Sequence, residues 1–149
     1  MIESTDEDER TNSLGLFNTA EIYRLSGERL PKIKHGHAEM PRRFLYCHAL
    51  ELYLKALLRQ KHSMATMRNK FGHQIKLLMR EAENLGLVVG ENDRTVLTLI
   101  NDTDAMIDSR YVRTGTKLLV ELKALRRTCK NIRDDVGTIL RRNDVLVRL

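Results

Sequence analysis

The sequence has no tryptophan, two prolines, two cysteines, and only three phenylalanines and four tyrosines among 149 residues. So little proline and aromatic content argues against a turn-rich sheet domain and suits helices. Cys47 and Cys129 fall on the apolar sides of two separate expected helices and read as small core residues, not as a disulfide framework. No stretch approaches the ~20 apolar residues a helix needs to span a bilayer, and no cationic segment leads into an apolar one near the start. Those absences point to a cytoplasmic protein without a membrane partner. The phosphate loop G-x-x-x-x-G-K-S/T, H-E-x-x-H and G-x-S-x-G are also missing, which excludes the enzymes such short motifs identify. His35 and His37, with Cys47, His48 or His62, make no defined coordination set, so neither a metal nor another cofactor is expected.

What is present is charge and apolar content in helical proportion: 31% charged, 42% hydrophobic and a net charge of +6. The opening "MIESTDEDER" sets five acids against Arg10, a local charge of −4, which leaves +10 on residues 11–149 of the whole-chain +6. A body so basic invites an anionic partner, nucleic acid being the commonest. Residues 1–12 read as an acidic, disordered tail, with folding back as a weak internal competitor as the other reading. Residues 13–149 are long enough for a single domain with its own core.

Within that domain the apolar spacing predicts about five helices. The first is capped by Asn12 or Ser13 and runs to about Leu30, before Pro31. The second starts at Pro41, where a missing N–H costs nothing, and reaches about Gln60. A basic loop or frayed end follows, then helices from His73 to Leu85, from Asn92 or Asp93 to Tyr111, and from about Thr116 to Arg142. The last has Leu118, Leu122, Leu125, Cys129, Ile132, Val136 and Ile139 at alternating steps of four and three. The pattern describes an all-α up-and-down bundle, with the state of "DVLVRL" at the C-terminus left open.

Helix two is apolar nearly all round, apart from a narrow line of His48, Glu51, Lys55 and Arg59. Two readings compete: a solvated edge carrying an i,i+4 pair of Glu51 and Lys55, worth ~0.2–0.5 kcal/mol, or the border of a groove shared with a neighbouring helix. Separately, Arg59, Lys61, Arg68 and Lys70 form a basic stretch without an acid, and Arg126, Lys130 and Arg133 share one side of the last helix. These seven are the candidate nucleic-acid contacts, by charge and salt-sensitive phosphate binding more than by stacking, since few aromatics lie among them.

Three strings occur in order: Ala49-Leu50-Glu51-Leu52-Tyr53-Leu54-Lys55-Ala56-Leu57-Leu58, then Phe71-Gly72-His73-Gln74-Ile75, then Ser109-Arg110-Tyr111. Together they resemble the HEPN family, the higher eukaryote and prokaryote nucleotide-binding domain, over residues 13 to about 142. The resemblance implies a helical bundle that usually forms a homodimer, in a family split between RNA-cleaving members, many of them toxins or defence effectors, and non-catalytic ones. Cleaving members carry arginine, four to six residues, then histidine at the start of the final helix; residues 112–149 contain no histidine. The same spacing occurs elsewhere, in Arg43 and His48, but five helical residues set the side chains about 140° apart. His48 as acid or base, with Arg43 or Arg110 stabilising charge on phosphorus, is the catalytic alternative.

The expectation is therefore a HEPN-like dimeric module, nucleic-acid-associated or regulatory, without the usual nuclease chemistry. Its alternatives are a divergent metal-independent endoribonuclease or toxin with an antitoxin partner, and a structural protein–protein interaction module. Glu51, Lys55, His73, Arg110 and Tyr111 are expected to form a polar cluster or groove, with Glu51, His73 and Arg110 meeting in one hydrogen-bonded group.

Overall fold

A computed structural model describes residues 6–34, 39–103 and 120–149; Arg110, Tyr111, His35 and His37 lie outside them. The described residues are helical, with no strand among them. In chain order they form α1 (Asp6–Arg10), α2 (Ser13–Arg29), α3 (Met40–Leu58), a three-residue α4 (Met64–Thr66) running into a π-helical turn (Met67–Phe71), α5 (Ile75–Asn84), α6 (Glu91–Thr103) and α7 (Leu122–Arg142). No helix among the described residues is long and apolar enough to cross a membrane.

Local chemistry sets the boundaries. Asn12 caps α2, its side-chain oxygen accepting from Gly15 N at 2.8 Å, which satisfies one of the donors a helix start leaves unpaired. Pro41 sits in the first turn of α3, where an N–H would have no helical acceptor. Helix α5 begins at Ile75, two residues later than apolar spacing suggests, because Gln74 is extended. Glu121 is likewise non-helical, so α7 opens at Leu122; Thr116, the expected start, lies outside the described residues.

Helix α3 is the axis of the bundle, packed chiefly against α2 and α7 and also against α5. Tyr46, Leu50, Tyr53, Leu54, Leu57 and Leu58 are fully enclosed, and the Tyr53 ring meets Phe17 of α2 edge-on at 5.2 Å between centroids. Gly27 lets α2 approach closely, since a Cβ there would lie 3.2 Å from Tyr46 Cε1. On the other side, Leu125, Cys129, Ile132, Val136 and Leu140 form the buried seam of α7. The joint of α6 and α7 is polar: Asp93, buried in the first turn of α6, accepts from Thr128 Oγ1 at 2.7 Å and Asn131 Nδ2 at 3.0 Å.

Two regions depart from the sequence reading. Residues 6–10, expected in a disordered tail, form α1, with Asp8 buried. The segment after α3, expected as a loop or frayed end, forms a defined turn: Ser63 caps α4, accepting from Thr66 N at 3.1 Å, and Met67 and Phe71 are buried. Gly72 ends this turn with φ near 55°, in the left-handed region glycine adopts without penalty. At the C-terminus Asp144 takes φ 64°, and the chain turns back: Val147 is buried and its carbonyl accepts from Arg141 Nε at 2.9 Å. "DVLVRL" thus leaves the helix.

Candidate functional site

The polar line on α3 is only partly in water: His48, Lys55 and Arg59 are half-buried, and Glu51 is shut off from solvent. Glu51, at 1% exposure, is among the most enclosed side chains in the protein. A buried carboxylate has to be paired, because losing its hydration costs several kcal/mol. His73 Nδ1 lies 2.8 Å from Glu51 Oε1, Lys55 Nζ 3.4 Å from Oε2, and His48 Nδ1 3.9 Å from Oε2. With Glu51 ionised, the His73 contact is a hydrogen bond in which Nδ1 carries the proton. Gly72 and the non-helical Gln74 hold His73 just outside α5, where its ring is 78% exposed while one nitrogen reaches the buried acid.

The candidate catalytic side chains are engaged with different groups. Arg43 donates to the Val120 carbonyl and has Nη2 3.8 Å from Glu39 Oε2, tying the start of α3 to the entry of α7. His48 packs edge-on to Tyr23 at 4.4 Å and parallel to Phe44 at 5.8 Å between ring centroids. This places His48 in an aromatic notch between α2 and α3, beside Glu51.

The expected nucleic-acid contacts divide sharply. Arg59 is an internal tie, donating to the carbonyls of Thr11 at 3.0 Å, Asp8 at 3.0 Å and His62 at 3.2 Å. Arg68 pairs with Glu7, and Lys70 lies 5.4 Å from the centroid of Phe71, while Lys61 is exposed. Arg133 is bound to Glu21 at 2.9 Å and to Asp134 at 2.7 Å, and Arg126 to Glu28 at 2.6 Å. Lys130 is exposed.

Those last contacts belong to a ladder that sequence reasoning missed. Glu21 and Glu28, seven residues apart on α2, face Arg133 and Arg126, seven apart on the antiparallel α7. The matched heptad spacing was the available signal. Around Glu21 the ladder becomes a knot: Arg24 Nε lies 3.1 Å from both Glu21 Oε1 and Tyr53 OH, and Tyr53 donates to Glu21. Burial alone would raise the Glu21 carboxyl, but the hydrogen bonds from Arg24, Arg133 and Tyr53 outweigh it and hold it below the usual carboxylate range. Glu28 is lowered in the same way, burial being overcome by Arg126 and Tyr46. Tyr46, buried and hydrogen-bonded to Glu28, is pushed up to about 12.

In that antiparallel register Arg24 and Lys130 fall at the same level, between the two acid–arginine rungs. Both line an open cleft of about 560 Å³ with Lys123, Arg126, Arg127 and Glu28, five cations around one carboxylate. A second hollow of about 380 Å³, lined by Arg42 and Tyr46 among others, shares Glu28, Lys123 and Arg126 with it. Burial pushes the thiols of Cys47 and Cys129 up, Cys47 to about 12, so neither is a nucleophile near neutral pH. Among the described residues no group of three or more metal-ligating side chains converges.

No protein-family model, curated protein or solved structure matches this chain.

Proposed function

We propose that the protein is a HEPN-like, homodimeric helical module of the cytoplasm that binds RNA through its phosphates without cleaving it. The observation carrying this reading is the α2–α7 cleft, where Arg24, Lys123, Arg126, Arg127 and Lys130 surround Glu28 alone. Arg24 is paired with Glu21 and Arg126 with Glu28, which leaves Lys123, Arg127 and Lys130 without an acid partner among the described residues, and a phosphate backbone supplies the missing charge while releasing its counterions. Lys123, Arg127 and Lys130 recur at steps of four and three along α7, one turn or about 5.4 Å apart, a pitch suited to successive phosphates of one strand. Tyr46, the aromatic residue beside the cleft, is enclosed and spends its hydroxyl on Glu28 at 2.9 Å, so the contact is to backbone and not to stacked bases. The separate engagements of Arg43 and His48 support a non-catalytic role. The dimer follows from the family resemblance.

The test is binding of a labelled 12-nucleotide single-stranded RNA by fluorescence anisotropy at 50 and 200 mM salt. Reversing Lys123, Arg127 and Lys130 to glutamate is expected to weaken binding more than tenfold at 50 mM and to flatten the salt dependence, with little change in thermal stability because all three are exposed. Salt-insensitive binding, or binding unchanged by the reversal, overturns the assignment. Degradation of the RNA that His48→Ala abolishes would replace it with the ribonuclease reading.

A further inference from the structure

The segment with the least apolar character in the molecule is nevertheless docked. Helix α1 is Asp6-Glu7-Asp8-Glu9-Arg10, without one apolar side chain, so hydrophobic burial contributes little to holding it. Its contacts are ionic and polar. Asp8 Oδ1 accepts from Met64 N at 2.8 Å, at the start of α4. Arg59 Nη2 donates to the Asp8 carbonyl at 3.0 Å and lies 3.5 Å from Asp8 Oδ1, while Glu7 pairs with Arg68. The surface receiving α1 is thus the basic stretch from Arg59 to Lys70, four cations with no acid of its own.

From this juxtaposition we infer that α1 is an intramolecular anionic ligand, occupying the Arg59–Arg68 surface as a phosphate backbone would and giving way when RNA takes its place. The inference rests on the RNA-binding reading and adds a regulated second contact surface at the other end of α2 from the cationic cleft. Three features make the exchange reversible. The Glu7–Arg68 pair is half exposed on both sides, and exposed pairs contribute only ~0–1 kcal/mol. With no greasy face, α1 has only charges and hydrogen bonds to give up, and RNA replaces charge with charge. Thr11 and Asn12 join α1 to the capped start of α2 outside both helices, a two-residue link at which α1 can swing away.

The test uses the full chain and the same labelled RNA. Glu7→Gln/Glu9→Gln keeps Asp8 and its bond to Met64; Glu83→Gln/Glu91→Gln removes equal charge from α5 and α6, where Glu83 pairs with Arg94 and not with the basic stretch. The α1 variant is expected to bind RNA 3- to 10-fold tighter at 50 mM salt, with the gain shrinking at 200 mM, while the control changes less than twofold. Hydrogen exchange on the wild-type protein is expected to quicken at residues 7–12 and at the Met64 amide when RNA is added. Equal tightening by both variants, or RNA binding that leaves those amides protected, overturns the mask while leaving RNA binding standing. No binding by any of the three proteins at 50 mM overturns both.

Discussion

Two carboxylates inside this bundle are held in opposite ways. Glu21, 18% exposed, is gripped by Arg24 and Arg133, each 15% exposed, and by the enclosed Tyr53 hydroxyl, so acid and partners are shut in together. Glu51 is more deeply buried, yet its nearest partner, His73, stands mostly in water. The cost of losing an ion pair depends less on how deep the acid lies than on where its partners can go afterwards. Removing Glu21 leaves Arg24 with the neutral Tyr53 hydroxyl and Arg133 with the half-exposed Asp134. Removing the Glu51 charge leaves His73 free to turn outward.

The sharpest way to break this contrast is to neutralise each acid in turn. Glu21→Gln is expected to cost ~2–3 kcal/mol in urea unfolding at pH 7, since it leaves two cations poorly paired. The same substitution should remove part of the acid sensitivity. The Glu21 carboxyl is held below its ordinary value in the folded protein, so its contribution is fully present above about pH 5 and is lost as pH falls through the folded pKa. Wild-type and Glu21→Gln midpoints should therefore converge progressively as pH falls below about 5. Parallel pH curves would show that the knot does not stabilise the fold through that charge.

Glu51→Gln should cost less, ~1 kcal/mol, because glutamine still offers His73 an oxygen and Lys55 can extend toward solvent. If it proves more costly than Glu21→Gln, depth outweighs the fate of the partners and the comparison reverses. The smallest effect is expected at Gly137. Alanine there would gain ~1 kcal/mol of helix propensity, and its Cβ would sit 2.4 Å from Leu149 Cδ2. Leu149 is 44% exposed and meets this Cβ with the end of its side chain, so it should move aside and leave net stability within ~0.5 kcal/mol of wild type. A larger loss would mean that the returning tail, with Val147 beneath it, is a fixed part of the fold.

Much of the architecture was legible because it is written in local signals. Asn12 and Pro41 mark helix starts by their own chemistry, and the α7 seam of Leu125, Cys129, Ile132 and Val136 is buried where its period of four and three places it. Helix α1 was not legible, since periodicity detects apolar faces and α1 has none. The turn after α3 was hidden for a similar reason. Four cations dominate its composition, while Met67, Phe71 and the positive φ of Gly72 set its shape. Of the candidate site, Glu51, Lys55, His73 and His48 are gathered around one carboxylate. Arg59 and Arg133, taken for exposed cations, are mostly enclosed ties. A sequence records that a helix is basic but not which arginines find an acid on the next helix, because that depends on register.

Register here has an unusual safeguard. Lys123 and Lys130 repeat the spacing of Arg126 and Arg133, so sliding α7 by three residues would offer Glu28 and Glu21 a second pair of cations, and charge matching alone admits both settings. The slide would also carry Arg126 into the place of Cys129 and Arg133 into that of Val136, two positions at 0% exposure. Two naked guanidinium groups in an oily slot cost far more than any rung returns. Like a vernier with two coincident marks, the helix is set by its greasy edge and only then clamped by its charges.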